Sequence, residues 1–142
     1  SQNAKYEEWK IWFERYFEFL HDDAILIGWS LGGMFLAKYL SEEKIPFKIK
    51  AVYLLGAPSG EYTDESGCDC AGFLFSMENL VNITRQVEEV NVWHSEDDFV
   101  VPFEELELYK KSLPEAKVMT FSDKNHFLIP EFPELINSIK SL

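Results

Sequence analysis

The 142-residue sequence predicts an α/β fold of three layers, α/β/α, built on a mainly parallel sheet. Three observations carry that expectation. Short apolar runs of strand length alternate with amphipathic stretches of helix length, the pattern of βα units whose helices cover both faces of a parallel sheet. One junction, Gly28-Trp29-Ser30-Leu31-Gly32, is a glycine-flanked turn between such a run and such a stretch. Acidic and histidine-bearing loops follow the C-terminal ends of later runs, at the edge where ligands bind in open α/β sheets.

The elements follow in order. Tyr6, Trp9, Phe13, Tyr16, Phe17 and Leu20 recur at three- and four-residue spacing, which predicts an amphipathic helix from about Ala4 to Leu20. Asn3 is its candidate N-cap, Glu7 and Glu8 suit its early turns, and its aromatic stripe is expected to pack against the sheet. A strand over Ile25 to Gly28 leads into a helix over Leu31 to Leu40, and Ala51 to Leu55 is a second strand ending at Gly56-Ala57-Pro58. From Ser59 to about Thr84 the periodicity breaks. Val90 to His94 reads as a buried strand, and Ser95 to Pro102 as a loop into a helix over Pro102 to Lys111. That helix has Glu104, Glu105 and Glu107 early and Lys110 and Lys111 late, as the helix dipole favours. Ser112-Leu113-Pro114 stops it. A strand over Ala116 to Phe121, a loop over Ser122 to Phe127 and a helix over Pro133 to Ser141 complete the chain, with Pro133 suited to a first turn. No repeat, low-complexity tract or linker divides residues 1–142, which are read as a single domain.

Composition narrows the function classes. A hydrophobic content of 46% with 15% aromatic residues excludes disorder. A net charge of −12 argues against nucleic acid and anionic membrane surfaces as partners. No apolar run approaches the roughly 20 residues that span a bilayer. No signal peptide is visible, so the expected location is cytoplasmic. Cys68 and Cys70 are separated by one residue, which strains a disulfide between them. Only Asp64, Glu65 and Asp69 stand near them as further ligands, so free thiols are expected and no metal site. Asn82-Ile83-Thr84 matches a glycosylation sequon, with nothing else pointing to secretion.

The junction at Ser30 carries the chemistry. G-x-S-x-G between a strand and a helix is a nucleophile elbow. Its sharp turn forces Ser30 into a strained conformation, and side chains at Gly28 and Gly32 are expected to collide with their neighbours. The amide of Leu31, at a helix N-terminus, can donate to a developing oxyanion. A serine hydroxyl needs a base at neutral pH. His126, in the loop after the last strand, fits that place. His21 lies at the opposite end of the elbow strand, and His94 ends its strand beside the acidic loop, as a second-layer candidate. Glu96, Asp97 and Asp98 are the candidate acids, in the chain order Ser, acid, His.

Lys5-Tyr6-Glu7-Glu8-Trp9 with Trp12-Phe13, the Gly28-Trp29-Ser30-Leu31-Gly32-Gly33 turn, Leu54-Leu55-Gly56-Ala57-Pro58, Asp98-Phe99-Val100-Val101-Pro102 and Asn125-His126-Phe127 resemble the corresponding stretches of one family. These are the small serine hydrolases of the α/β-hydrolase superfamily related to retinoblastoma-binding protein, which include bacterial YdeN-like proteins. The resemblance implies a compact, nearly lidless hydrolase fold with serine esterase chemistry. It makes Asp98, first residue of the D-x-x-V-P stretch, the acid of a Ser30–His126–Asp98 triad. Trp29, beside the nucleophile and often His in relatives, is expected to pack against the neighbouring loops and is a candidate substrate-binding residue. Residues 59–84 become an insertion near the active site, where Phe73 and Phe75 either line an acyl pocket or close the bottom of a surface loop. Members of this family begin with a strand and an H-G oxyanion loop, whereas this sequence begins at Ser1-Gln2-Asn3-Ala4-Lys5 entering a helix. The natural chain is therefore expected to be longer, with the second oxyanion donor in that part. The implied activity is cleavage of small carboxylic esters or thioesters through an acyl-enzyme, with no metal or organic cofactor. Two alternatives stand beside it: a catalytically inactive module that binds a protein partner, and cleavage of peptides or amides.

Overall fold

The computed structural model describes residues 3–63 and 70–142. Its strands β1 (Ala24–Trp29), β2 (Ile49–Leu55), β3 (Val87–Ser95) and β4 (Lys117–Phe121) form one sheet in sequence order, every neighbouring pair parallel. Trp29, Leu55, Trp93 and Met119 stand in one row across it, so all four strands deliver their following loops to the same edge. Parallel neighbours need long crossovers. Helix α2 (Leu31–Glu42) supplies the first, residues 56–86 the second and α3 (Glu105–Ser112) the third.

The pleat divides the apolar residues between two cores. Val52 and Leu54 of β2 join Val90 and Val92 of β3 under α2 and α3. Ala51, Tyr53 and Leu55 point the other way, with Trp93, against Phe132, Leu135 and Ile139 around α4 (Pro133–Lys140). A central strand covered on both sides reads as a near-continuous apolar run, and β2 is that strand. The predicted three layers are present.

Three local expectations are corrected. The first helix, α1 (Tyr6–Arg15), ends early and tightens into a 3-10 turn over Tyr16–Phe19. Its N-cap is Lys5, without a side-chain capping bond, not Asn3. Its aromatic stripe meets α2 rather than the sheet: Trp9 and Phe13 set their edges on Phe35, and Phe13 also on Tyr39. The reason is that α2 already occupies that face of the sheet, so α1 stacks outside it. The segment without periodicity contains a nine-residue 3-10 helix, Met77–Arg85, which buries Met77, Leu80 and Ile83. Beside it, the C-terminal end of α2 is satisfied by side chains. Asn82 Nδ2 donates to the Ser41 carbonyl at 2.9 Å, and Gln86 Nε2 donates to those of Leu40 at 2.7 Å and Glu43 at 2.9 Å. The sequon asparagine is thus engaged in capping.

The close approach of α2 to β1 depends on glycines, though not quite the expected pair. A Cβ on Gly28 falls 2.5 Å from the Gly32 carbonyl oxygen and 2.6 Å from Gly33 Cα, and one on Gly33 falls 2.6 Å from Ala57 Cβ. A Cβ on Gly32 meets nothing within 4 Å, so Gly33 and not Gly32 is the second steric requirement. Gly28→Ala sets backbone against backbone and is expected to cost about 1–3 kcal/mol of stability, as overpacking does. Denaturant titration checks this, with Gly32→Ala as the milder control. Among the described residues no helix is long and apolar enough to cross a membrane.

Candidate active site

Ser30 is the hinge between β1 and α2. Its N–H donates the last bond of the strand, to the Leu55 carbonyl at 2.8 Å. Its carbonyl accepts the first bonds of the helix, from Gly33 N–H at 2.9 Å and Met34 N–H at 3.1 Å. One residue therefore serves two elements that leave it in different directions, and its backbone takes φ 54° and ψ −124°. A side-chain-bearing residue tolerates such strain only when held from both ends. The next amide, Leu31 N–H, has no acceptor among the described residues. It opens a 12-residue helix, where the dipole favours negative charge.

The loop after β3 presents Asp98. Its Oδ1 accepts from the N–H groups of Val100 at 2.8 Å and Val101 at 2.9 Å, and its Oδ2 accepts from His126 Nδ1 at 2.7 Å. The Asp98 side chain is fully enclosed and that of His126 nearly so, 5% exposed. The carboxylate accepts, so Nδ1 of His126 is the donor, and the neutral ring in this tautomer has its lone pair on Nε2. Behind the pair sits His94, whose Nε2 lies 3.0 Å from the Val101 carbonyl and 3.4 Å from Asp98 Oδ2. A carbonyl only accepts, so this Nε2 is protonated and presents its N–H edge to the acid.

Ser30 and this pair both border the exit of β2. Leu55 holds the Ser30 amide, and the next residue, Gly56, has φ 52°. A Cβ on Gly56 would lie 3.2 Å from Asp98 Oδ2 and 3.4 Å from His126 Nδ1. Positive φ and this proximity together call for glycine there. Ser30 Oγ and His126 Nε2 are not hydrogen-bonded in this structure.

The other expected site residues are distributed as follows. Asp97 does not touch the imidazole. Its Oδ1 accepts from Ser95 Oγ at 2.5 Å and from Asn125 N–H at 2.8 Å, and the Ser95 hydroxyl foremost holds its carboxyl below the usual range. Glu96 is exposed, and His21 lies in the turn before β1, at the far end of that strand. Trp29 lies beside the base. Its Nε1–H donates to the His126 carbonyl at 2.8 Å, with the two rings 5.4 Å apart and tilted by 44°. Phe73 and Phe75, expected to line an acyl pocket or to close the bottom of a surface loop, both lie buried in the core cluster that includes residues of α1 and α2, and Phe73 has no exposed surface. Cys70 is half-buried, and Cys68 lies outside the described residues. Among the described residues, no group of three or more His, Cys, Asp and Glu side chains is arranged to hold a metal ion. Sequence reasoning missed Gly56 as a site residue, although it stands at a strand exit like the other site loops.

A parallel sheet whose first described strand turns through a strained serine into a helix, with an acid and a histidine on the later loops, is the α/β-hydrolase fold. Solved structures share it. The ydeN gene product of B. subtilis superimposes with a TM-score of 0.80 at 18% identity, covering 97% of this chain and 75% of that one. A serine hydrolase from Cycloclasticus zankles gives 0.63 at 18%, covering 88% and 64%. The esterase domain of a Rhodothermus marinus protein gives 0.53 at 22%, covering 74% and 51%. No protein-family model matches the sequence, and no curated protein does.

Proposed function

We propose that this chain is a serine hydrolase of small carboxylic esters or thioesters, with Ser30 as nucleophile, His126 as base and Asp98 as the acid that orients it. The observation that carries the reading is the enclosed Asp98–His126 bond of 2.7 Å at the sheet edge where Ser30 is held in its strained turn. The serine hydrolase and esterase that share the fold point the same way.

Ser30 Oγ attacks the carbonyl carbon while its proton passes to His126 Nε2. Asp98 stabilises the resulting imidazolium, and Leu31 N–H donates to the oxyanion. Collapse breaks the ester or thioester bond, and the leaving alcohol or thiol takes the proton from His126. Water then attacks the acyl-Ser30 ester and gives a proton to His126. The carboxylic acid departs, and the proton returns to Ser30.

A Ser30 that is not hydrogen-bonded to His126 also fits a second reading, a non-catalytic module that binds a protein partner. Catalytic hydrogen bonds are often long without substrate, so the first reading is preferred. A fluorophosphonate probe separates the two. The expected result is a covalent adduct on the peptide containing Ser30, together with turnover of p-nitrophenyl esters or thioesters. Folded protein that gives neither adduct nor turnover supports the binding module.

A further inference from the structure

His126 stands between two non-glycine residues with positive φ, Asn125 at 44° and Phe127 at 54°. Such conformations are disfavoured for residues with side chains, for Phe more than for Asn, and persist only where the surroundings impose them. The surroundings here are specific. From the exit of β3, Ser95 Oγ accepts the Lys124 N–H at 3.0 Å and Asp97 Oδ1 accepts the Asn125 N–H at 2.8 Å. Within the loop, Phe127 N–H reaches the Lys124 carbonyl at 2.8 Å, and Leu128 N–H reaches Asn125 Oδ1 at 3.0 Å. From the end of β1 comes Trp29, whose indole N–H holds the carbonyl of His126 itself.

We propose that Trp29 and Asp97 are positioning residues that clamp the His126 loop from two different strand exits, those of β1 and β3. Trp29 immediately precedes Ser30, whose N–H is tied to β2. The spacing between imidazole and hydroxyl is therefore set across one side chain and one peptide unit. A Trp at this place, 45% exposed, looks like a wall for substrate, yet its only polar atom is spent on the base loop. Asp97, adjacent to the acid in sequence, does for the backbone of the loop what Asp98 does for the ring. The catalytic consequence rests on the Ser30–His126–Asp98 reading. The clamp does not.

The test compares Trp29→Phe, which keeps a ring but removes the N–H, and Asp97→Ala with the parent protein. Amide hydrogen exchange over residues 124–128 reads the clamp directly. Labelling of Ser30 by a small fluorophosphonate reads the position of the base without calling on a substrate wall. Each variant is expected to speed exchange in that segment about tenfold, the scale of one hydrogen bond, and to leave the remaining peptides unchanged. Labelling is expected to slow by a similar factor, and kcat for esters to fall with KM retained. Unchanged exchange over residues 124–128 in both variants overturns the proposal, whatever the reactivity of Ser30. A change in KM alone for Trp29→Phe makes that residue a substrate wall and also overturns it. Faster exchange in a protein whose Ser30 never labels upholds the clamp and removes the triad reading instead.

Discussion

Asp98→Asn is expected to lower kcat for ester hydrolysis by about 10⁴-fold, the scale of a triad whose histidine takes the wrong tautomer, while leaving the fold intact. The hydrogen bonds fix how the amide must sit. The position of Oδ1 accepts two backbone N–H groups, from Val100 and Val101, so the amide oxygen has to take it. The NH₂ group then faces His126 Nδ1, which must give up its proton and accept. His126 Nε2 becomes the protonated nitrogen and, on the proposed triad, meets Ser30 as a donor, unable to take the hydroxyl proton. The same NH₂ also turns toward the protonated Nε2 of His94, so two donors oppose each other where an acceptor stood. Asp97→Asn is the matched control, because its amide oxygen can still accept from Asn125 and Ser95. It is expected to cost less than about tenfold, the scale of one weakened hydrogen bond. Steady-state kinetics on the two variants decides the matter. An equal loss in both, or the larger loss in Asp97→Asn, rejects Asp98 as the acid.

The division of labour among these neighbouring acids shows how far the sequence can be read. Strand–helix alternation places every strand of the sheet, because apolar runs such as Ala51 to Leu55 have no other use than a doubly covered strand. The glycine-flanked Ser30 turn is legible for a similar reason, since its geometry is local. Only the resemblance of the D-x-x-V-P stretch separates Asp98 from Asp97 in the sequence, because the physical difference between them is not local. It depends on which carboxylate meets the imidazole of a residue 28 positions later and which meets that loop's backbone. Gly56 is hidden in the same way, because it matters through what faces it across the sheet edge, whereas the place of His94 beside the acidic loop could be read from the chain. The 3-10 helix Met77–Arg85 did leave a trace, apolar residues at every third position, Met77, Leu80 and Ile83. A three-residue repeat of that kind fits neither the helical nor the strand template, so the segment reads as irregular until α2 is there to receive it.

Phe73→Ala is expected to destabilise the protein by about 3–5 kcal/mol, the range for removing a buried aromatic ring, and to leave the preference for acyl-chain length unchanged. Phe73 is enclosed on every side. It meets Trp9 edge-on at 5.1 Å and Tyr6 edge-on at 5.8 Å, and Tyr6 in turn packs against Phe35 of α2 at 5.6 Å. The ring is thus the piece that joins α1 to the segment crossing from β2 to β3. A turn with two positive-φ residues, Cys70 at 48° and Gly72 at 89°, delivers it there. Phe75 is held just beyond, with its N–H on the Gly60 carbonyl at 3.1 Å. Truncating Phe73 leaves a cavity between two elements that meet mainly through aromatic edges, and it leaves α1 held by its own contacts with α2, Trp9 and Phe13 on Phe35 and Tyr39 and the Glu14 bond to the Tyr39 hydroxyl. Thermal unfolding should show a midpoint lowered by about 10 °C or more, given the usual unfolding entropy of a chain this size, with p-nitrophenyl esters of increasing chain length cleaved in unchanged proportion. A shifted chain-length profile at an unaltered midpoint would return Phe73 to the pocket wall and detach α1 from its anchor.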